Sequence, residues 1–156
     1  MRFQCIPIDP ETADRFRRTG VDDGGNPIQR RIVDAPGAPC RQCLRDAEIG
    51  EEILLLSWHL PRPLGIYWTP SPIFLHAQPC AAFGQSDAIA PIVRNRLVSV
   101  RAYDRDGMCL YDLGDVSEGT VVDGLLSRAL DDERTDFVNT HTARPGCLLC
   151  QVERRA

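Results

Sequence analysis

The sequence predicts an α+β fold, a mainly antiparallel sheet of about seven strands with two to three helices, and three observations carry that prediction. Several short runs, such as Ile53 to Trp58 and Leu97 to Tyr103, have strand length and strand composition. Two stretches, after Asp9 and after Thr120, instead repeat apolar residues at helical spacing. Strands and helices do not alternate strictly, which argues against a parallel βαβ sheet. With 156 residues, the chain is expected to form one globular domain, 1–156, burying roughly two-thirds of its unfolded surface.

The elements follow in order. Phe3 to Ile8 reads as a strand. Asp9-Pro10-Glu11 then starts a helix, because Asp caps free backbone N–H groups and Pro loses no hydrogen bond at the first helical position. That helix turns Ala13 and Phe16 inward and stops near Gly20. Asp22 to Pro27 is a turn, and Ile28 to Val33 is an alternating strand. Ala35 to Pro39 brings the chain to Cys40 without regular structure. Ile53 to Trp58 is continuous and apolar, as a buried central strand requires. Pro61, Pro63, Gly65, Pro70 and Pro72 make the next segment a long loop, and Ile73 to His76 is its partner strand. On that loop, Tyr67 and Trp68 either form a binding lip or fold back onto the sheet. Pro91 opens a short helix ahead of the strand Leu97 to Tyr103. Asp104 to Gly107 is a hairpin turn with Met108 to Leu113 returning. Thr120 and Asp123 have capping-box spacing, ahead of Leu125, Leu126, Ala129 and Leu130. Phe137 to Thr142 is a strand, and Gln151 to Arg154 a last short one.

Net charge is −4, and all 18 basic residues are arginine, spread along the chain. That distribution reads as compositional bias and gives no basic face, which disfavours nucleic acid as a partner. The sequence names no partner and leaves a small molecule or a protein open. No run approaches the roughly 20 apolar residues that span a bilayer, so no membrane partner is expected. The N-terminus lacks the apolar core of a secretory signal. A cytoplasmic location follows as the expectation, with thiols kept reduced. Seven cysteines, an odd number, also argue against a simple disulfide framework. Cys5 and Cys109 lie in apolar runs and read as small buried hydrophobes. Asp104, Asp106, Asp112 and Asp115 match no hard-metal loop and read as solvated turn residues.

Six soft-metal ligands remain, in three pairs: Cys40 with Cys43, His76 with Cys80, and Cys147 with Cys150. A Cys-x-x-Cys turn aims two sulfurs at one point, half of a tetrahedral zinc shell. One scheme joins the first two pairs across a single hairpin into a Cys₃His site. Another joins Cys40 and Cys43 to Cys147 and Cys150, clipping most of the domain at an entropic cost that rises slowly with loop length. The zinc-site segments are therefore about 38–82 and 141–152, and the apolar strands beside each pair predict that all six ligands share one neighbourhood. Zn²⁺ is the expected metal. Iron is the rival, since four thiolates also hold iron, but no third Cys lies close to either Cys-x-x-Cys.

The functional reading is thus a small protein with a structural zinc site. The alternative is a thiol- or zinc-dependent enzyme. His141, Arg144 and Cys147 lie in one strand-to-turn segment, where a protonated His141 and Arg144 would lower the Cys147 pKa and make it a nucleophile.

In general layout, residues about 38 to 82 resemble a treble-clef-like zinc finger, with Leu44 where a glycine commonly follows the second Cys. The whole chain also resembles an uncharacterised bacterial domain-of-unknown-function family, numbered 1203. Pro39-Cys40-Arg41, Gly50-Glu51-Glu52 with Leu54-Leu55-Leu56, Ser71-Pro72-Ile73-Phe74, Arg96 to Ala102, and Ala143-Arg144-Pro145-Gly146-Cys147 carry that resemblance. It implies a stand-alone bacterial domain and transfers no reaction.

Overall fold

A computed structural model describes residues 2–156. Its eight strands form two antiparallel sheets, with three α-helices. The larger sheet contains β1 (Phe3–Ile6), β5 (Leu97–Tyr103), β6 (Asp115–Glu118), β7 (Phe137–Thr142) and β8 (Leu148–Arg154), in the order β1-β8-β7-β5-β6. The smaller contains β2 (Gln29–Ile32), β3 (Glu52–His59) and β4 (Pro70–His76), with β3 in the centre. The class is the predicted α+β; the division into two sheets is new.

The first helix, α1 (Pro10–Thr19), follows the expected chemistry. The Asp9 carboxylate accepts the N–H groups of Glu11 at 3.0 Å and Thr12 at 3.1 Å, and Gly20 ends the helix in the left-handed region at φ 66°. Ala13 and Phe16 are fully buried. Together with Leu54, Leu56, Ile73 and Leu75 they form a core beneath the smaller sheet. A second core lies under the larger sheet, where α2 (Pro91–Arg94) and α3 (Asp123–Asp131) bring Ile92, Val93, Leu126 and Leu130 against Val98, Val138 and Val152.

Four local expectations are corrected. Met108 to Leu113 is no strand: after one isolated bridge from Cys109 to Tyr103 the chain makes a 3-10 turn over Tyr111–Leu113, and polar β6 pairs with β5 instead. The capping box does not form, because Asp123 pairs with Arg94 and the helix is entered from a 3-10 turn, Gly119–Val121. β4 starts earlier, at Pro70; it is an edge strand, where a missing N–H costs no ladder bond. β8 starts at Leu148 rather than Gln151, pairing His141 with Leu148 across a bulge.

Tyr67 and Trp68 turn back on the protein. The Trp68 indole donates to the Leu60 carbonyl at 3.0 Å with its ring edge-on to His59, and Tyr67 packs against Tyr103 and Tyr111. Among the described residues no helix is long and apolar enough to cross a membrane.

Candidate metal centre and the surroundings of Cys147

Cys40 and Cys43 flank a tight turn held by the Leu44 N–H donating to the Cys40 carbonyl at 3.0 Å. The turn lies along the free edge of β4. There Arg41 N–H donates to the Phe74 carbonyl at 3.0 Å, and the Arg41 carbonyl accepts Ile8 N–H at 2.9 Å. Leu44 takes φ 54°, the left-handed conformation that glycine usually supplies after such a knuckle, and its side chain is fully buried. His76 ends β4, and Cys80 follows in the next turn.

The ligand atoms of Cys40, Cys43, His76 and Cys80 all lie within 4.8 Å of one another. Cys40 Sγ and Cys80 Sγ are 3.8 Å apart, and Cys43 Sγ is 3.5 Å from His76 Nδ1. A tetrahedron with zinc–sulfur bonds of about 2.3 Å has sulfur–sulfur edges of about 3.8 Å, and a sulfur–nitrogen edge of about 3.5 Å with zinc–nitrogen at about 2.05 Å. Two of the donor–donor edges therefore match those of a tetrahedral shell, and the remaining ones are at most 4.8 Å.

The surroundings complete the design. His76 Nε2 is 3.1 Å from Glu51 Oε2, a contact that would hold the Nε2–H tautomer and leave Nδ1 to ligate a metal. Glu51 is held in turn by both Arg45 nitrogens, at 3.0 and 3.1 Å, and by the Glu48 N–H at 2.6 Å. Its hydrogen bonds to Arg45 first, and to the Glu48 amide, hold its carboxyl down to about 2. Glu51 meets His76 because it immediately precedes β3, whose first residues pair with the end of β4. The His76 N–H points at Cys40 Sγ, 3.4 Å away. Arg17 of α1 donates to the His76 carbonyl at 3.1 Å and brings its charge to 4.0 Å from Cys80 Sγ.

Hydrogen bonds link the donors to one another. Hydrogen bonds with Cys43 and Cys80 drive the Cys40 thiol far below its usual range, and hydrogen bonds with Cys40 and Cys43 raise Cys80 well above it. Hydrogen bonds to Cys40 and Cys43 raise His76 to about 10. A divalent cation would replace the donors' protons as the counter-charge.

The third pair is not in this cluster. Cys150 is buried in the core of the larger sheet, where the Thr140 hydroxyl lies 3.4 Å from its sulfur and Cys5 packs nearby. Cys147 is half-buried and faces a separate cavity containing Arg41 and Thr142. Of the six predicted ligands, Cys40, Cys43, His76 and Cys80 thus come within 4.8 Å of one another, and Cys147 and Cys150 are not in that group. β8 enters the sheet at Leu148 and carries Cys150 inward.

The imidazolium expected beside Cys147 is corrected as well. His141 Nδ1 is bound to the Gly146 carbonyl at 2.9 Å, and its Nε2 is buried without a partner among the described residues. Burial, with Arg101 adding repulsion, lowers its pKa to about 4, so the ring is neutral at neutral pH.

Sequence reasoning missed Glu51, Arg17 and Arg41. Glu51 and Arg41 do occur in the segments that carry the family resemblance, Gly50-Glu51-Glu52 and Pro39-Cys40-Arg41. The comparison with protein families bears directly on those segments: the family described as "Protein of unknown function (DUF1203)" matches residues 37–154. The chain belongs to this family. The span shared with DUF1203 contains all six predicted ligands, Glu51 and Arg41, while α1 with Arg17 lies outside it. No curated protein and no solved structure matches the chain.

Proposed function

We propose that this chain is a zinc-binding domain in which Cys40, Cys43, His76 and Cys80 hold one structural Zn²⁺. The observation that carries the reading is the pair of donor separations, 3.8 and 3.5 Å, which match the edges of a tetrahedral Cys₃His shell. Four protein donors close the shell, whereas catalytic zinc keeps one position for water. The set would carry a net charge of −1, offset by Arg17. Iron is disfavoured because its sites prefer four thiolates and this set has three. The metal ties the knuckle to the end of β4, so the domain serves as a binding or regulatory scaffold rather than through metal chemistry.

Elemental analysis of untagged protein is expected to give about one zinc per chain. Cys43→Ser should lower both metal content and thermal stability, because metal binding is coupled to folding. Protein purified with negligible zinc, or with iron in its place, overturns the assignment.

A further inference from the structure

Arg41, the second residue of the knuckle, is only 2% exposed. Two of its nitrogens are committed to backbone: Nε donates to the Leu148 carbonyl at 2.6 Å and Nη1 to the Pro39 carbonyl at 2.5 Å. Among the described residues Nη2 has no acceptor, and no carboxylate pairs with the group. Arginine does not shed its proton to relieve burial. A buried cation with no carboxylate beside it is costly, and an anion bound there would offset that cost.

The space beside Arg41 suits such a visitor. It opens onto a cavity of about 270 Å³ whose walls include Leu55, Phe74 and Pro145. The polar side chains there are Arg41, Arg96, Thr142 and Cys147, and none is acidic. Arg96 is already spent on Asp46 at 2.5 Å and the Ile92 carbonyl. The Thr142 hydroxyl takes the Cys147 N–H at 3.0 Å. Nη2 of Arg41 is therefore a free donor on a residue that lines this mainly apolar cavity.

We propose that this cavity binds a small organic anion, a carboxylate on a compact apolar body, with the carboxylate on Arg41 and the body against Leu55, Phe74 and Pro145. A cavity of about 270 Å³ limits the guest to a compact acid. Inorganic phosphate fits poorly, because most of its oxygens would face apolar wall without a donor. Arg41 is held by the Phe74 carbonyl and the Ile8 amide as well as by the knuckle, so the pocket does not require the metal to be zinc.

Benzoate is the probe, with benzamide as its neutral isostere and inorganic phosphate as the bare anion. Each is titrated into as-purified protein while backbone amide resonances are followed. Benzoate is expected to saturate and to move Phe74, Thr142 and Cys147. Benzamide should bind roughly tenfold more weakly, since a hydrogen bond to an ion is about twice as strong as a neutral one. Cys147→Phe fills the chamber, leaves Arg41 in place and should abolish the shifts; Arg41→Met should do the same. Zinc is assayed on the same samples, so loss of metal and loss of the pocket are read separately. Absent benzoate binding, equal binding of benzamide, phosphate binding tighter than benzoate, or indifference to Cys147→Phe would each overturn the proposal.

Discussion

Leu44 shows how a single residue reconciles two demands at the knuckle. The turn after Cys43 needs a left-handed residue, and Leu44 supplies it at φ 54° at a cost of about 1–2 kcal/mol for an L-residue. Glycine would avoid that strain but would also delete a fully buried side chain from the core. Truncating a buried leucine costs about 2–5 kcal/mol, so the packing that leucine supplies outweighs the backbone strain it carries. The sequence could show the departure from a glycine but not its compensation, which depends on packing from distant segments. Glu51 is a second case, since its role appears only when β3 and β4 pair. Its contact with His76 should matter for metal retention: Glu51→Ala is expected to weaken metal affinity about 10- to 100-fold with the fold retained. Competition against a zinc chelator measures this, and an unchanged affinity would remove Glu51 from the site.

At the scale of elements, alternation or apolar runs located most strands, including the fully exposed β2, and missed β6, which has neither. β3, β5 and β7 were legible because each carries apolar residues inward, whereas β6 is Asp-Val-Ser-Glu on an exposed edge and holds its place by pairing alone. The bulge between β7 and β8 was equally invisible, and it decides the fate of His141. Burial comes first among the causes that oppose a proton on its Nε2, followed by Arg101 of β5 and then Arg41 of the knuckle. Together they outweigh the Gly146 carbonyl, whose hydrogen bond to Nδ1 favours the charged ring. Its pKa falls from 6.5 to about 4. A depressed histidine stabilises the fold fully above its unfolded pKa, and that contribution is lost as pH falls from about 6.5 through 4. At roughly 1.36 kcal/mol per unit the loss is about 3 kcal/mol. His141→Phe keeps a buried ring but cannot titrate. The stability difference between wild type and His141→Phe, from urea unfolding at pH 7.5 and 4, should therefore shift by about that amount in favour of the variant at acid pH. A difference independent of pH would mean that His141 is not buried in its neutral form.

Across the whole molecule, the two sheets divide the cysteines into chemical classes that spacing alone could not separate. Cys-x-x-Cys looked alike at both ends of the chain. One copy forms a tight turn along the edge of β4, while the other opens β8, whose alternation sends Cys150 into the core. The sequence therefore supplied all four clustered ligands but not the exclusion of the third pair, which follows from where β8 enters the larger sheet. Thiol accessibility turns this division into a test of the metal. Exposure alone places Cys43, Cys80, Cys109 and Cys147 in one half-buried class, with Cys5, Cys40 and Cys150 buried. Bound zinc would split the half-buried class, because a coordinated sulfur is a poor nucleophile toward iodoacetamide. In metal-loaded protein Cys147 should label first and Cys109 more slowly, since burial raises the Cys109 thiol. Cys40, Cys43 and Cys80 should remain protected until a chelator is added, then label together. Cys5 and Cys150 should stay protected even then, because both lie deep in the core of the larger sheet, to which the knuckle contributes only Leu44. Peptide mass spectrometry resolves each position. Labelling of Cys43 and Cys80 in step with Cys147 before chelation would show that exposure, not coordination, governs these thiols.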